Sequence, residues 1–284
     1  MPGIAVVTDS TAYIPTNLVE QYGISVAPQV LVWGDQTYHD GVDIQPDEFY
    51  SRLKTAKSMP TTSQVSVVSM KEIFEKLIGQ GADVLGVFIS AKLSGTMQSA
   101  IQGREALGSA ASKVTVVDSN ATAMALGFQA LQAARAAKDG ASMKDLVRFV
   151  EKSRDHVGVY FAVETLEFLH RGGRIGGAQR FIGSALNLKP ILALRDGRIE
   201  AEDRVRTKSK ALDRVLELVT EQVKGKSNIR LATVQANAEA EAVQLLDRAT
   251  RELGAIESVV AAVSPVVGAH AGPGTVGLAY MAGI

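Results

Sequence analysis

The chain has 284 residues, of which 46% are hydrophobic, and this size allows two ordinary α/β domains. Its 30 lysine and arginine residues equal its 30 aspartate and glutamate residues, which argues against the broad positive surface that nucleic-acid binding needs. The chain has no cysteine, so disulfides, thiol catalysis and zinc sites with cysteine ligands are excluded.

Two other features narrow the class of protein. The histidines are too widely spaced to form an HxxxH metal pair: His39, His156, His170 and His270. The first residues, MPGIAVVTDS, lack the basic and long apolar regions of a signal peptide, and no apolar run reaches the about 20 residues of a membrane span. We therefore expect a soluble cytoplasmic protein without a metal site.

The first half of the chain alternates strand-like and helix-like segments. Apolar and β-branched runs predict strands over residues 4–7, 24–33, 84–89 and 114–117. Helices are predicted from Pro15, from Pro46 and over residues 67–79, and another helix follows each of the last two strands. Such alternation is typical of a mostly parallel sheet covered by helices on both faces, so we predict a three-layer α/β/α domain.

After about residue 157 the pattern changes. Strands are predicted over residues 159–163, 189–194, 198–203, 229–235 and 258–263, and helices over 210–223 and 239–253. The pair Asp196-Gly197 predicts a hairpin turn, and residues 267–274 are expected to form a loop before a last apolar segment. We therefore predict a second α/β domain, with a mixed sheet, and a division of the chain into domains 1–157 and 158–284.

The segment Ser94-Gly95-Thr96 comes soon after the strand predicted over residues 84–89 and opens a helix. Free backbone N–H groups, two hydroxyls and the positive end of a helix dipole meet there, an arrangement that attracts an anion. The alternative is that Ser94 only caps the helix. The phosphate-loop pattern GxxxxGK[ST] and the nucleophile pattern GxSxG are absent from the sequence.

Short polar side chains also occur in the loop MPTTSQVS, residues 59–66, and in the strand-end turns that contain Asp9 and Asp118. In an open α/β sheet such turns gather at the carboxyl ends of the strands, where ligands bind. Ser63 or Ser66 could equally cap the helix that follows. We expect Asp9 and Asp118 to order their turns through local hydrogen bonds rather than to act in catalysis.

His270 lies in a segment, residues 268–275, that contains three glycines and a proline. Such a backbone can approach a ligand closely, and an imidazole donates a hydrogen bond to a carboxylate. A purely structural histidine is the alternative. A fourth segment spaces Arg171 and Arg174 by two glycines, which suits a phosphate or an acidic partner surface. A flexible surface loop has the same composition.

Taken together, these segments resemble the DegV family of bacterial fatty-acid-binding proteins. The matching stretches follow the family's order and span most of the chain: TDST (8–11), TSQVS (62–66), KLSGT (92–96), HRGGRI (170–175), LKPIL (188–192) and HAGPGT (270–275). Val65 stands where the family usually has proline. The resemblance implies a two-domain α/β fold that buries one long-chain fatty acid, such as palmitate, between its domains.

The resemblance also implies roles for particular residues. The family holds the fatty acid carboxylate with the threonine of TSQ and the serine of SGT, here Thr62 and Ser94. Gly95 permits close backbone approach to that group, and His270 occupies the family's histidine position beside it. Characterised relatives are the lipid-carrying subunit of a fatty acid kinase, whose separate ATP-binding subunit phosphorylates the carboxylate to an acyl phosphate. The resemblance therefore implies a carrier rather than an enzyme, with no cofactor of its own.

We expect Arg171 and Arg174 to surround an opening near the carboxylate and to bind the kinase subunit or its phosphates. Two other functions remain open. A nucleotide-binding module could use the RGGR segment, although the phosphate loop is missing. A serine hydrolase would use Ser94, His270 and either Asp9 or Asp118. A catalytic triad is defined by geometry rather than by chain order, so the missing GxSxG pattern alone does not exclude it.

Overall fold

The computed structural model describes residues 3–56, 58–183 and 188–284. Its strands are β1 Ile4–Asp9, β2 Ser25–Ala27, β3 Val30–Trp33, β4 Gln36–His39, β5 Thr61–Ser63, β6 Asp83–Phe88, β7 Val114–Asp118, β8 Val157–Ala162, β9 Lys189–Arg195, β10 Arg198–Val205, β11 Arg230–Gln235, β12 Glu257–Val259 and β13 Val276–Met281. Its α-helices are α1 Thr16–Tyr22, α2 Pro46–Leu53, α3 Val67–Gly79, α4 Thr96–Glu105, α5 Ala123–Lys138, α6 Met143–Ser153, α7 Glu167–Arg171, α8 Lys208–Val223, α9 Glu239–Leu253 and α10 Pro265–Ala271.

A parallel sheet forms the centre of the first half of the chain, with strand order β2-β1-β6-β7. Successive side chains of β1 point to opposite faces of this sheet. Val7 belongs to an apolar cluster with Phe74 of α3, whereas Val6 belongs to a different cluster with Leu131 of α5. Helices therefore cover both faces, which confirms the predicted three-layer α/β/α arrangement.

The single strand predicted over residues 24–33 is wrong, because the chain changes sheet there. β2 belongs to the parallel sheet, whereas β3 lies in a small antiparallel sheet with order β4-β3-β5. Pro28 lies between them and has no N–H to donate to a ladder, and the Gln29 N–H donates to Ser10 Oγ at 3.0 Å. This small antiparallel sheet places Thr62 of β5 beside Leu31 of β3.

The second half of the chain contains a six-stranded sheet with order β10-β9-β8-β13-β11-β12. Its β11–β12 pair is parallel and its other described pairs are antiparallel, so the sheet is mixed, as predicted. Asp196 and Gly197 have φ angles of 47° and 71° and form the predicted hairpin turn between β9 and β10. Side chains of α8 and α9 share one apolar cluster with Tyr160 of β8.

The strand predicted over residues 258–263 is too long, since β12 covers only Glu257–Val259. Beyond it, the Ala261 N–H donates to Thr233 Oγ1 at 2.7 Å, and the same hydroxyl donates to the Ala261 carbonyl at 2.6 Å. A side chain of β11 thus takes the place of the backbone partners that would have continued the strand.

Helix α5 lies between the two larger sheets and contacts β1 on one side and β13 on the other. All of its residues from 123 to 131 are buried, and one apolar cluster includes Leu85 of the parallel sheet and Phe161 of the mixed sheet. The parallel sheet lies within residues 4–118 and the mixed sheet within residues 157–281. The division into domains 1–157 and 158–284 stays a proposal, in which the two domains share the core around α5.

Candidate functional site

A cavity of about 180 Å³ lies among residues of both halves of the chain. Much of its wall is apolar and includes Ile89, Val159, Phe161, Leu194, Ile199 and Val234. A mainly apolar cavity with few polar groups is the usual form of a small-molecule site, in which the apolar wall binds the body of the ligand and the polar groups orient it.

Five of the candidate residues line this cavity, namely Thr62, Ser94, Gly95, Arg174 and His270. They come from four separate segments, so the fold brings together side chains that are up to 208 residues apart in sequence. Arg171 lies outside the described lining, where its guanidinium pairs with Glu167 at 2.6 Å on the surface. The structure thus separates two arginines that the sequence places in one motif.

Thr62 and His270 contact each other directly, with Thr62 Oγ1 2.8 Å from His270 Nε2. Thr62 is positioned by the pairing of β5 with β3. His270 is positioned by α10, near the end of which it lies. The bond therefore joins the small sheet of the first half to a helix of the second.

Helix α10 replaces the first part of the loop predicted over residues 267–274. The Ser264 Oγ accepts the Val267 N–H at 3.3 Å, and Pro265 occupies the first turn, where proline is favourable. The helix ends at Gly272, whose φ of 81° favours glycine. The glycine-rich composition concealed this short helix, although its Ser-Pro start signal is present in the sequence.

His270 is neutral at physiological pH. Burial, together with the positive charge of Arg174, lowers the pKa of its imidazole from 6.5 to about 4. Its Nδ1 is buried and has no hydrogen-bond partner among the described residues. A Cβ on Gly172 would overlap this nitrogen, so only glycine at position 172 lets the RGGR segment cover the ring so closely.

Gly95, and not Ser94, has the N-cap position of α4. The Ser94 Oγ accepts the Thr96 N–H at 3.3 Å and lies 3.0 Å from Thr96 Oγ1. A Cβ on Gly95 would overlap the Gln64 side chain, which itself donates to Ser99 Oγ at 3.3 Å. The TSQ and SGT segments therefore lie directly against each other, and Gly95 is what permits this contact.

Arg174 is held at the cavity by two bonds to backbone oxygens. Its Nε donates to the Leu93 carbonyl at 3.1 Å and its Nη1 donates to the Gly172 carbonyl at 2.7 Å. The residue is exposed to solvent and also lines the cavity. The polar end of the cavity is therefore close to the surface at this position, beside the segment that carries Ser94.

Asp9 and Asp118 have the local structural roles that we expected. Within its own turn, Asp9 accepts the Thr11 N–H at 3.0 Å, and Asp118 accepts the Asn120 N–H at 2.8 Å. Asp9 also accepts the Ile89 N–H at 2.7 Å, and Asp118 the Ala91 N–H at 3.2 Å, both from the segment that follows β6. Both carboxylates thus order loops at the carboxyl ends of the strands of the parallel sheet. In the described residues, His270 has a hydrogen bond to Thr62 and none to a carboxylate, so the geometry of a serine hydrolase is not assembled.

One polar feature of the cavity wall has no signal in the sequence. Thr122 lines the cavity, and its Oγ1 is buried without a hydrogen-bond partner among the described residues. Ala123, beside it, has a φ of 51°, a left-handed conformation that is unfavourable for alanine. Helix α5 therefore begins at the cavity with a strained residue, which neither composition nor periodicity predicts.

Two other kinds of site are missing from the part of the chain that the structure describes. No group of three or more histidine, aspartate or glutamate side chains there is placed to hold a metal ion. None of the helices there has both the length and the apolar character that crossing a membrane requires.

The fold and the site together define an α/β protein with a mainly apolar cavity, which has a small group of polar residues at the end that lies near the surface. A model of the DegV family, described as uncharacterised DegV family proteins, matches residues 3–283, so the chain belongs to the DegV family. The chain is similar to protein DegV of Bacillus subtilis, with 36% identity over 279 residues and 98% of each chain covered. It is also similar to a DegV domain-containing protein of Streptomyces coelicolor, with 39% identity over 277 residues and 97% of each chain covered.

Solved structures of other family members have the same fold. A DegV family protein of Thermus thermophilus, described as fatty-acid binding, has a TM-score of 0.93 and 34% identity, with 99% of each chain covered. DegV of Bacillus subtilis, described as a fatty acid binding protein, has a TM-score of 0.90 and 34% identity, with 99% of this chain and 100% of that chain covered. The family resemblance inferred from the sequence motifs is therefore confirmed.

Proposed function

We propose that this protein binds one long-chain fatty acid, such as palmitate, with its acyl chain in the apolar cavity and its carboxylate at the polar end. The observation that carries this proposal is the Thr62–His270 contact of 2.8 Å beside a mainly apolar wall. The two relatives described as fatty-acid binding support it. The carboxylate would be held by Thr62 and Ser94, with Gly95 and His270 beside it.

The tautomer of His270 decides whether the Thr62 hydroxyl can donate a hydrogen bond to the fatty acid carboxylate. If Nε2 carries the proton, it donates to Thr62 Oγ1, and the Thr62 hydroxyl proton is free for the ligand. In the other tautomer Thr62 must donate to Nε2 and has no proton left. We therefore assign the proton to Nε2, which makes His270 a positioning residue for Thr62.

Ser94 would be the second donor to the same carboxylate. If the Thr96 hydroxyl donates to Ser94 Oγ across their 3.0 Å separation, the Ser94 proton is free to point into the cavity. Arg174 adds a full positive charge near this point, whereas the neutral His270 adds none. Two neutral donors and one arginine at the opening orient an anion without sealing it from solvent.

We further propose that the protein acts as a carrier that presents the fatty acid to a separate ATP-dependent kinase. In that reaction a carboxylate oxygen attacks the γ-phosphorus of ATP, ADP leaves, and an acyl phosphate forms. Arg171 and Arg174 would contact the kinase or its phosphates, because guanidinium groups make paired bonds to such oxygens. The carrier role needs no cofactor of its own, and the use of ATP places the step in the cytoplasm.

Extraction of the purified protein tests the proposal directly. After denaturation and solvent extraction, mass spectrometry should find about one long-chain fatty acid per chain. A protein purified without lipid that also fails to take up palmitate would contradict the proposal. Labelling of Ser94 by a fluorophosphonate would instead support the serine hydrolase, which the hydrogen bonding of His270 does not favour.

A further inference from the structure

A second cavity, of about 330 Å³, lies near the first, and no described residue lines both. Its floor is buried and polar and consists of Thr8, Asp9, Ser10 and Asp40. Its rim includes three exposed valines, Val26, Val42 and Val260. We call this cavity, with its floor and rim, the acidic groove.

The rim concentrates exposed apolar surface. Val26, Val42 and Val260 are 40%, 67% and 48% exposed. They are three of the six large apolar side chains that are exposed in the described residues, and they come from both halves of the chain. Single exposed valines need no explanation, but their convergence on one groove indicates a surface that contacts an apolar group.

The floor has negative charge without a positive partner. Asp40 is 1% exposed and accepts hydrogen bonds from Ser10 Oγ at 2.6 Å and from the Val266 N–H at 3.3 Å, both neutral donors. Asp9 is fully buried as well, but burial raises the pKa of its carboxyl, so we assign the negative charge of the floor to Asp40. No lysine, arginine or histidine is among the described residues that line the groove. Burial raises the pKa of Asp40 to about 6, so its carboxylate is still ionised at neutral pH.

Thr8 is an independent indication of an occupant. It lines the groove and is completely buried, and its Oγ1 has no hydrogen-bond partner among the described residues. Buried hydroxyls in folded proteins nearly always have a partner, so the free Thr8 hydroxyl is a polar atom at this wall that a bound group would satisfy. The Thr8 hydroxyl can accept a hydrogen bond, as the Asp40 carboxylate can.

We propose that the acidic groove binds a small organic cation, whose ammonium group contacts Asp40 and Thr8 and whose short apolar body contacts the valine rim. An ammonium group has three donors and no acceptor, which matches the unpartnered Thr8 hydroxyl and the negative charge of Asp40. An anion would be repelled by Asp40. A bare metal ion would leave the valines unused, and the described residues place no cluster of three metal-binding side chains there.

Calorimetric titration of the full-length, lipid-loaded protein with n-butylammonium chloride tests this site. The titration is done at about pH 8, where Asp40 is ionised, and at constant ionic strength against potassium chloride. We expect saturable binding of one n-butylammonium per chain and at least tenfold weaker binding of n-butanol. Asp40→Asn should raise the Kd at least tenfold. Asp43→Asn, a control in a 43% exposed side chain of the same segment, should change it less than twofold.

A substitution in the valine rim tests the same binding site if the Asp40→Asn variant does not fold. Val42→Lys places a positive charge on an exposed position of the rim and should also raise the Kd at least tenfold. Val68→Lys makes the same change at a 64% exposed valine outside the groove and should leave the Kd unchanged. Equal binding of n-butanol, full competition by potassium at equal concentration, or an unchanged Kd in Val42→Lys would overturn the proposal.

Discussion

Thr62 Oγ1 and His270 Nε2 lie 2.8 Å apart although 208 residues separate them in sequence. The contact joins β5 of the first half of the chain to α10 of the second, and both residues line the mainly apolar cavity. One hydrogen bond therefore both connects the two halves and orients a hydroxyl at the proposed ligand. A change at either residue is expected to alter ligand affinity as well as stability.

Thr62→Val removes the hydroxyl and keeps a β-branched side chain of similar shape. A hydrogen bond to a charged group contributes about 1.5–3 kcal/mol, so its loss should raise the Kd for palmitate about ten- to one-hundred-fold. Displacement of a fluorescent fatty acid measures the Kd. Thr37→Val is the matched control, since Thr37 is exposed on β4 and outside the cavity.

The double variant Thr62→Ala with Ser94→Ala tests whether the two hydroxyls act on one carboxylate. Acyl-phosphate formation with a kinase partner should fall far more than the thermal stability does. Melting must be measured alongside, because Ser94 also accepts the Thr96 N–H at the start of α4. Full carrier activity of the double variant would disprove the assignment.

His270 and Asp40 should give the stability of the protein opposite pH dependences. The pKa of His270 is lowered to about 4, so the unfolded chain binds more protons between pH 4 and 6.5, and the free energy of unfolding rises with pH there by up to about 3 kcal/mol. The pKa of Asp40 is raised from 3.8 to about 6, so the folded chain binds more protons in that window and stability falls with pH.

Single variants separate these two contributions. Asp40→Asn should make stability rise more steeply with pH than in the wild type, whereas His270→Gln should flatten or reverse the rise. Urea denaturation at several pH values between about 4 and 7 measures the free energy of unfolding for all three proteins. Parallel curves would show that neither buried group titrates as described.

Gly172→Ala should disturb the site without touching any proposed ligand contact. The added Cβ would overlap His270 Nδ1, so the ring must move and its bond to Thr62 must weaken. We expect at least a tenfold rise in the Kd for palmitate. Gly79→Ala is the control, because a Cβ there meets no atom within 4 Å. Equal affinities of the two variants would show that the ring can relax at no cost to binding.

Strongly periodic segments of the fold were predictable from the sequence. The helices predicted over residues 67–79 and 239–253 have those bounds in the structure, because their apolar positions recur at helical spacing. The failures occurred where one residue overrides a longer pattern. Pro28 splits an apolar run between two sheets, and Ser264 starts a helix inside a glycine-rich segment.

The motifs in the sequence indicated which residues belong together, but not how they contact each other. Thr62, Ser94 and His270 were grouped by family resemblance, and the structure brings them to one cavity. Gly172 packs directly against the His270 ring, and Arg174 donates to the Leu93 carbonyl, so both contacts join distant segments. Contacts of this kind depend on the packing of the two halves of the chain, which local propensity does not encode.

The affinity for fatty acids should depend steeply on chain length. Burial of about 14 methylenes at about 0.8 kcal/mol each contributes on the order of 11 kcal/mol before ordering costs, more than the carboxylate bonds together. Octanoate, which has eight fewer methylenes than palmitate, should therefore bind at least a thousandfold more weakly. A titration series of saturated acids measures this slope, and equal affinity of octanoate and palmitate would exclude a long apolar site.

The two arginines of the RGGR segment should differ in their effect on fatty acid binding, although we propose that both contact the kinase. Arg171 is 60% exposed, pairs with Glu167 and lies outside the cavity lining, so Arg171→Ala should leave bound fatty acid unchanged and lower turnover with a kinase partner. Arg174 lines the cavity, so Arg174→Ala should lower turnover and also raise the Kd for palmitate modestly, by less than tenfold, because its charge is exposed to solvent.

Lipid content after purification and acyl-phosphate formation, measured on the same samples, separate the two effects. Arg204→Ala is the control, since Arg204 lies over Phe181 away from the cavity. Loss of lipid in both variants would place both arginines in the binding site, and unchanged turnover in both would show that the segment is only a surface loop.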